Sequence, residues 1–281
     1  MKRLTCLQAM PWKIDTNNDL ANVDKRFDLI NLAFVSPDCG YKKGSMKWDG
    51  TGLNFSLDFQ VIKVTIAMLR ARGVTVMLSV GGGSYWSVPK QITTPQIQNL
   101  WDLCMDLGCN GLDIDWEVGV SDSANAISFF KAVNQAKPAL AKISFAGFST
   151  GANAKSTNSG DPYSGMNLDI LTQCRFVDWV NCMEYDAGKD FDTKASFLNY
   201  RKAYSGPLNF GFEIGIQGWG DAMLQKEDVQ RACDLVKTNQ NDGIFIWAYY
   251  SKPGPGISVG GVVDLAAANL NQPVRSEATN L

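Results

Sequence analysis

Residues 110–117 read NGLDIDWE, from Asn110 to Glu117, and this run decides how the rest of the chain is read. Asp113, Asp115 and Glu117 stand two apart, separated by Ile114 and Trp116. Such a run reads as a buried strand, on which side chains alternate between faces. The three acids then project together on one side, while Leu112, Ile114 and Trp116 pack on the other. An isolated buried acid is costly, and three on one face repel unless protons or strong partners relieve them. A structural role rarely justifies that cost, so the run points to a function.

On either side of it, short β-rich apolar runs alternate with longer amphipathic ones. Strands are expected at 4–9, 29–35, 74–80, 111–117, 142–148, 176–183, 207–214 and 243–249. Helices are expected near 18–28, 57–72, 94–107, 124–136, 166–174, 193–203, 226–238 and 262–270. In the second helix Leu57, Val61, Met68 and Leu69 recur at near-helical spacing, and Gly73 follows as a stop. Strand–helix pairs recurring every ~30 residues match an α/β fold, a (β/α)8 TIM barrel of ~250 residues. An open doubly wound sheet normally has fewer strands and often a Gly-rich turn after the first, where this chain has Pro11-Trp12. No linker or repeat interrupts residues 1–281, so a single barrel with a polar tail at 271–281 is expected. The Gly/Pro/Ser stretch 251–261 reads as one more loop on its top face.

Composition narrows the chemistry. With 45% hydrophobic and 19% charged residues, the chain has ample material for a core. Lys and Arg total 26 against 28 Asp and Glu, without a long basic run, which argues against nucleic acid or an anionic membrane as partner. Histidine is absent, which excludes Ser-His-Asp and Cys-His catalysis and any metal site needing imidazole. The seven cysteines (Cys6, Cys39, Cys104, Cys109, Cys174, Cys182 and Cys233) are scattered and mostly lie in apolar runs. Buried free thiols are the preferred reading, with a disulfide or two as the alternative. The opening MKRLTCLQAMPWKID lacks a small-residue cleavage pattern and reads as a strand rather than a leader. No apolar run is long enough to span a bilayer.

In a TIM barrel, catalytic residues come from the C-terminal ends of strands. Strand three ends in SVGGG (Ser79 to Gly83), strand four in DIDWE, strand six in MEYD (Met183 to Asp186), and strand eight carries Trp247. SxGG, a near-complete DGxDxDxE, MxYD and a late Trp, in this order, resemble the family-18 glycoside hydrolases, the chitinase family. SxGG alone is weak, the strand-four motif is strong, and the resemblance spans nearly the whole chain. It implies that Glu117 is the general acid that protonates the glycosidic oxygen. It implies that Asp115 orients the substrate's acetamido group, with Asp113 sharing a proton or hydrogen bond with it. Tyr185 would donate to the acetamido oxygen, Asp186 would contact the same distorted sugar, and Met183 would belong to the sugar site. This family departs from the usual two-carboxylate scheme: the substrate's own N-acetyl oxygen attacks and closes an oxazolinium ring. No cofactor and no metal are implied.

Each residue also has a plainer reading. Three acids on a strand could hold Mg²⁺ or Ca²⁺, but such ligands usually converge from several loops. Ser79, Gly81 and Gly82 read as structural, the glycines letting the backbone pass close to Asp113 and a ligand, with Ser79 supporting Asp113. Trp247 reads as a stacking platform and Phe34 as a pocket wall. Trp12, Trp86 and Trp219 fall just past strands one, three and seven, where they extend a sugar cleft or pack as loop aromatics.

The departures from the family pattern carry expectations too. Asn110 stands where the family's first Asp is usual and is expected to point away from the sugar, tuning a supporting network. Strand one, CLQAMPW, lacks the aromatic often found there. Strand eight follows strand seven too closely for the extra α+β domain of many family members, which implies an open cleft and internal cutting. The expectation is a monomeric chitinase acting on chitin or N-acetylglucosamine oligosaccharides. An endo-β-N-acetylglucosaminidase on N-glycans and a chitin-binding lectin are the alternatives. The substrate class is extracellular, and no leader is visible by which such a protein would be exported.

Overall fold

The computed structural model describes residues 3–9, 19–85, 92–118, 122–153, 161, 163–215, 222–248 and 256–270, with 3–9 and 19 by backbone only. Its strands are β1 (Arg3–Ala9), β2 (Leu29–Val35), β3 (Thr75–Gly81), β4 (Gly111–Asp115), β5 (Lys142–Gly147), β6 (Trp179–Cys182), β7 (Leu208–Glu213) and β8 (Gly243–Trp247). They pair in parallel in chain order, and β1 also pairs with β8, so the sheet closes into the expected barrel. Around it run α1 (Phe59–Ala71), α2 (Thr94–Leu107), α3 (Ser123–Gln135), α4 (Met166–Gln173), α5 (Thr193–Ala203), α6 (Lys226–Val236) and α7 (Val259–Leu270). Helices on the outside and side chains within bury both faces of the strands, so the strands read as near-continuous apolar runs. Residues 251–255 of the expected top loop, and the tail at 271–281, lie outside the described residues.

The structure corrects several local readings. The helix expected at 18–28 is only a 3-10 turn, Asp19–Asn22, although Leu20, Val23 and Phe27 are buried as a helical stripe would be. The Asp24 carboxylate accepts the Arg26 backbone N–H at 2.9 Å and its guanidinium at 2.6 Å. Such local bonding by an Asp competes with helical bonding. Arg26 then reaches Asp264 of α7 at 2.7 Å and fastens the segment to the last helix. In α1 the buried face is Phe59, Ile62, Thr65, Ile66 and Leu69, whereas Val61 and Met68 of the expected stripe are 40% and 56% exposed. Phe59 starts a more continuous stripe and rotates the helix accordingly. Strand six begins at Trp179 because a turn, closed by the Val177 N–H to the Cys174 carbonyl at 3.3 Å, occupies its expected start.

β4 ends at Asp115 rather than Glu117. The Asp115 carbonyl takes its last rung from the Gly82 N–H at 3.0 Å, and Trp116 turns against Phe129 of α3, ring centroids 5.6 Å apart. Glu117 therefore stands on the top rim of the barrel. Deeper inside, Leu29, Met77 and Trp179 form an apolar plug. Cys39, Cys104, Cys109, Cys174, Cys182 and Cys233 are buried free thiols. Burial pushes Cys39 up to about 11 and Cys182 well above the ordinary thiol value.

Candidate active site

The strand alternation carries Asp113 into the barrel interior, where it is fully buried. Its Oδ2 accepts the Ser79 hydroxyl at 2.8 Å, and its Oδ1 accepts the Ser144 hydroxyl at 2.6 Å and the Asn181 amide at 3.3 Å. Asn209 donates in turn to Asn181 at 2.9 Å. The Asn31 amide also favours the Asp113 carboxylate, from outside hydrogen-bonding geometry. Burial raises the pKa of Asp113, and the Ser144 and Ser79 hydroxyls pull it back. The expected support from Ser79 is thus present, within a larger polar ring.

Above it, Asp115 is 1% exposed. Burial, then the charges of Glu117 and Asp113, push its pKa well above the ordinary carboxylate value. Its hydrogen bond with Glu117 raises it further, so the surroundings favour the neutral acid at Asp115. Burial raises Glu117 as well; the Asp115 hydrogen bond and the Gly83 N–H lower it again, and the Asp186 charge adds to the rise. Tyr185 is buried beside this pair, its ring edge-on to Phe245 with centroids 6.2 Å apart. Burial and the fields of Asp115, Glu117, Asp186 and Glu213 hold its hydroxyl protonated. Asp186 adopts a left-handed backbone (φ 57°), which Asp tolerates better than most residues.

The glycines after β3 have separate tasks. A Cβ on Gly82 would stand 2.8 Å from the Phe34 ring, and φ there is +76°. Gly82 thus lets Phe34 lie across the site, 5.4 Å from the Trp247 ring at a tilt of 34°. These two aromatics stand side by side. A Cβ on Gly83 would lie 3.2 Å from Glu117 Oε2. Gly81 (φ 111°) ends the strand in register with Asp115, and Met183 is buried at the end of β6. Trp12, Trp86 and Trp219 lie outside the described residues. Asn110 sits where β4 begins, its Oδ1 accepting the Val76 N–H at 2.9 Å. It supports β3 and points away from the acids, as expected.

The sequence model "Glycosyl hydrolases family 18" matches residues 9–213. The chain belongs to this family. Endochitinase 3 of Metarhizium robertsii is 25% identical over 265 residues, covering 79% of this chain and 77% of that protein. A family-18 chitinase from Pseudoalteromonas aurantia superimposes with a TM-score of 0.71 at 18% identity, covering 95% of this chain and 100% of its own. A fungal endo-β-N-acetylglucosaminidase of family 18 superimposes with a TM-score of 0.65 at 17% identity, covering both chains in full. At these identities the structural likenesses establish the barrel.

Several residues of this family-18 site were missed in the sequence. Asn31, Ser144, Asn181 and Asn209 each stand as a single small polar residue within an apolar strand, and each is fully buried. That interruption was the available signal. Gly83, which binds Glu117, was overlooked because SxGG ends one residue earlier. Glu213 shares the inward parity of Asn209 at the end of β7 and acts electrostatically on Tyr185. Among the described residues, no cluster of three or more acids and thiols is arranged to hold a metal ion. Nor is any described helix long and apolar enough to cross a membrane.

Proposed function

We propose that this family-18 barrel is a single-domain chitinase that cuts β-1,4-linked N-acetylglucosamine polymers internally and with retention. The observation that carries the reading is the buried column of Asp113 and Asp115 rising to Glu117 at the end of β4, with Asp113 held by Ser79 and Ser144 and with the Tyr185 hydroxyl buried within the field of Asp115 and Glu117. When an acetamido group enters, Asp115 holds its N–H and Tyr185 donates to its carbonyl oxygen. That oxygen is then aimed at the anomeric carbon. Such intramolecular attack can remove ~7–11 kcal/mol of barrier when the geometry is held. Asp115 gives up its proton to Glu117, and Glu117 passes a proton to the leaving glycosidic oxygen as the C–O bond breaks. Water later opens the oxazolinium ring, and Glu117 takes its proton. The raised pKa of Glu117 lets it take the proton from Asp115 and pass it on, as a general acid requires.

The 25% identity to Endochitinase 3 favours chitin over an N-glycan, on which the same chemistry would serve. A soluble chitin oligomer and an N-glycan, assayed side by side, test the substrate. The new reducing end should be the β-anomer, read by NMR before mutarotation; release of the α-anomer would mean direct attack by water and refute the roles of Asp115 and Tyr185. Glu117→Gln should lower turnover by at least ~10²–10⁴-fold while oligosaccharide binding persists. Binding without turnover by the wild-type protein would instead favour a lectin.

A further inference from the structure

Glu184 lies between two of the proposed substrate residues, Met183 and Tyr185, yet the strand alternation turns its side chain outward, under α5. It is 6% exposed. Its Oε1 lies 3.1 Å from the Ser196 hydroxyl oxygen of α5, and that same oxygen lies 3.0 Å from the Ser149 carbonyl. Ser196 has one hydroxyl proton, and a carbonyl can only accept. If Ser196 donates to Ser149, the proton between Ser196 and Glu184 must come from the carboxyl group. The other oxygen, Oε2, is buried without a hydrogen-bond partner.

We infer that Glu184 is a positioning residue for the reaction, a carboxylic acid that stays protonated, donates to Ser196, and holds the end of β6 so that Tyr185 and Asp186 face Glu117. The inference rests on the proposed hydrolase reading for its functional consequence, not for the proton itself. Helix α5 also holds the end of β5: Tyr200 donates to the Phe148 carbonyl at 2.6 Å, and Asn167 of α4 to the same carbonyl at 2.8 Å. Glu184 thereby ties β6 to the same anchor as β5. Its surroundings favour the neutral acid: burial is the largest influence, the Ser196 contact pulls against it, and the Asp192 charge adds to the rise. Cys182 and Tyr200, also buried, face it from β6 and α5. Glu184 borders a cavity of about 620 Å³, to which Lys189, Lys194 and Arg231 contribute cations and Glu213, Asp228 and Asp234 contribute acids. Arg231 is engaged by Asp228.

Infrared difference spectra of wild type against Glu184→Gln at neutral pH test the proton directly. The wild type should show a carboxylic-acid C=O stretch that the variant lacks; a difference confined to carboxylate bands would overturn the inference. This readout stands even if the protein does not turn over chitin. Thermal unfolding gives the same test by linkage. A carboxyl whose folded pKa is raised adds stability below the unfolded value of ~4.3, and that stability is lost as pH rises toward the folded value. Wild type should therefore lose ground to Glu184→Gln as pH rises above ~4.3, and parallel curves would count against a retained proton. In turnover, Glu184→Gln should match wild type, because the amide donates to Ser196 as the acid does. Glu184→Ala should lower kcat by roughly 10–100-fold with KM little changed, as expected of a displaced catalytic group. Wild-type kcat in folded Glu184→Ala, or equal losses in Gln and Ala, would refute the positioning role. If the Ala variant does not fold, the Gln variant and the spectra still decide.

Discussion

Replacing Asp113 tests whether the polar ring is a structural hub as well as a catalytic support. In Asp113→Ala, the Ser79 and Ser144 hydroxyls and the Asn181 amide lose their common acceptor inside the barrel. Each buried donor left unsatisfied costs ~1–3 kcal/mol, so the gross loss is ~3–9 kcal/mol. Removing a carboxylate whose pKa burial already raises returns part of this, and a net loss of about 3 kcal/mol is expected. At roughly 2–4 °C per kcal/mol for a chain of this size, Tm should fall by about 6–12 °C. Asp113→Asn separates hydrogen bonding from charge. Its carbonyl still serves Ser144 and Asn181, and the Ser79 hydroxyl can rotate to accept from the new amide. Asn should therefore cost no more than about 1 kcal/mol. Both variants remove a charge that helps Asp115 keep its proton, so both should lose activity while only Ala loses much stability. The assay is thermal unfolding followed by circular dichroism, paired with turnover of a chitin oligomer. If Asp113→Ala melts within about 2 °C of wild type, or Asn melts as low as Ala, the hub argument fails.

Asn110→Asp should leave both activity and pH profile almost unchanged, because a carboxylate can accept the Val76 N–H as the amide does and the side chain points away from Glu117. A jump from no activity to robust activity would show that the native site is silenced. Gly82→Ala should abolish turnover and lower stability by at least about 1 kcal/mol, since its Cβ meets the Phe34 ring and its φ of +76° strains any L side chain. Wild-type kcat in this variant would separate the Phe34 wall from the reaction; turnover and thermal unfolding measure the two effects.

The recurrence of short apolar runs and longer amphipathic ones was enough to order the barrel, because the periods that mark strands and helices arise from local backbone geometry. The acids at the end of β4 were legible for the same reason. Helix faces were less so. In α1 both Val61 and Ile62 belong to plausible stripes, and only packing against the barrel selects Ile62. The segment at 18–28 has helical periodicity, but the local claim of Asp24 on Arg26 and the distant pull of Asp264 stop the helix.

The sequence by itself determined that Asp113 and Asp115 share one face of a strand in a histidine-free barrel, with Glu117 just past its end, since parity along a strand needs no knowledge of the neighbours. Which groups surround those carboxylates was decided by closure of the sheet. Ser79, Ser144 and Asn181 are 31 to 68 residues from Asp113 in the chain, and they meet it only because adjacent strands curve around one axis. The raised pKa of Asp115 was decided in the same way. It follows from exclusion of water and from charges brought within reach in three dimensions, which residue types and spacing alone do not specify.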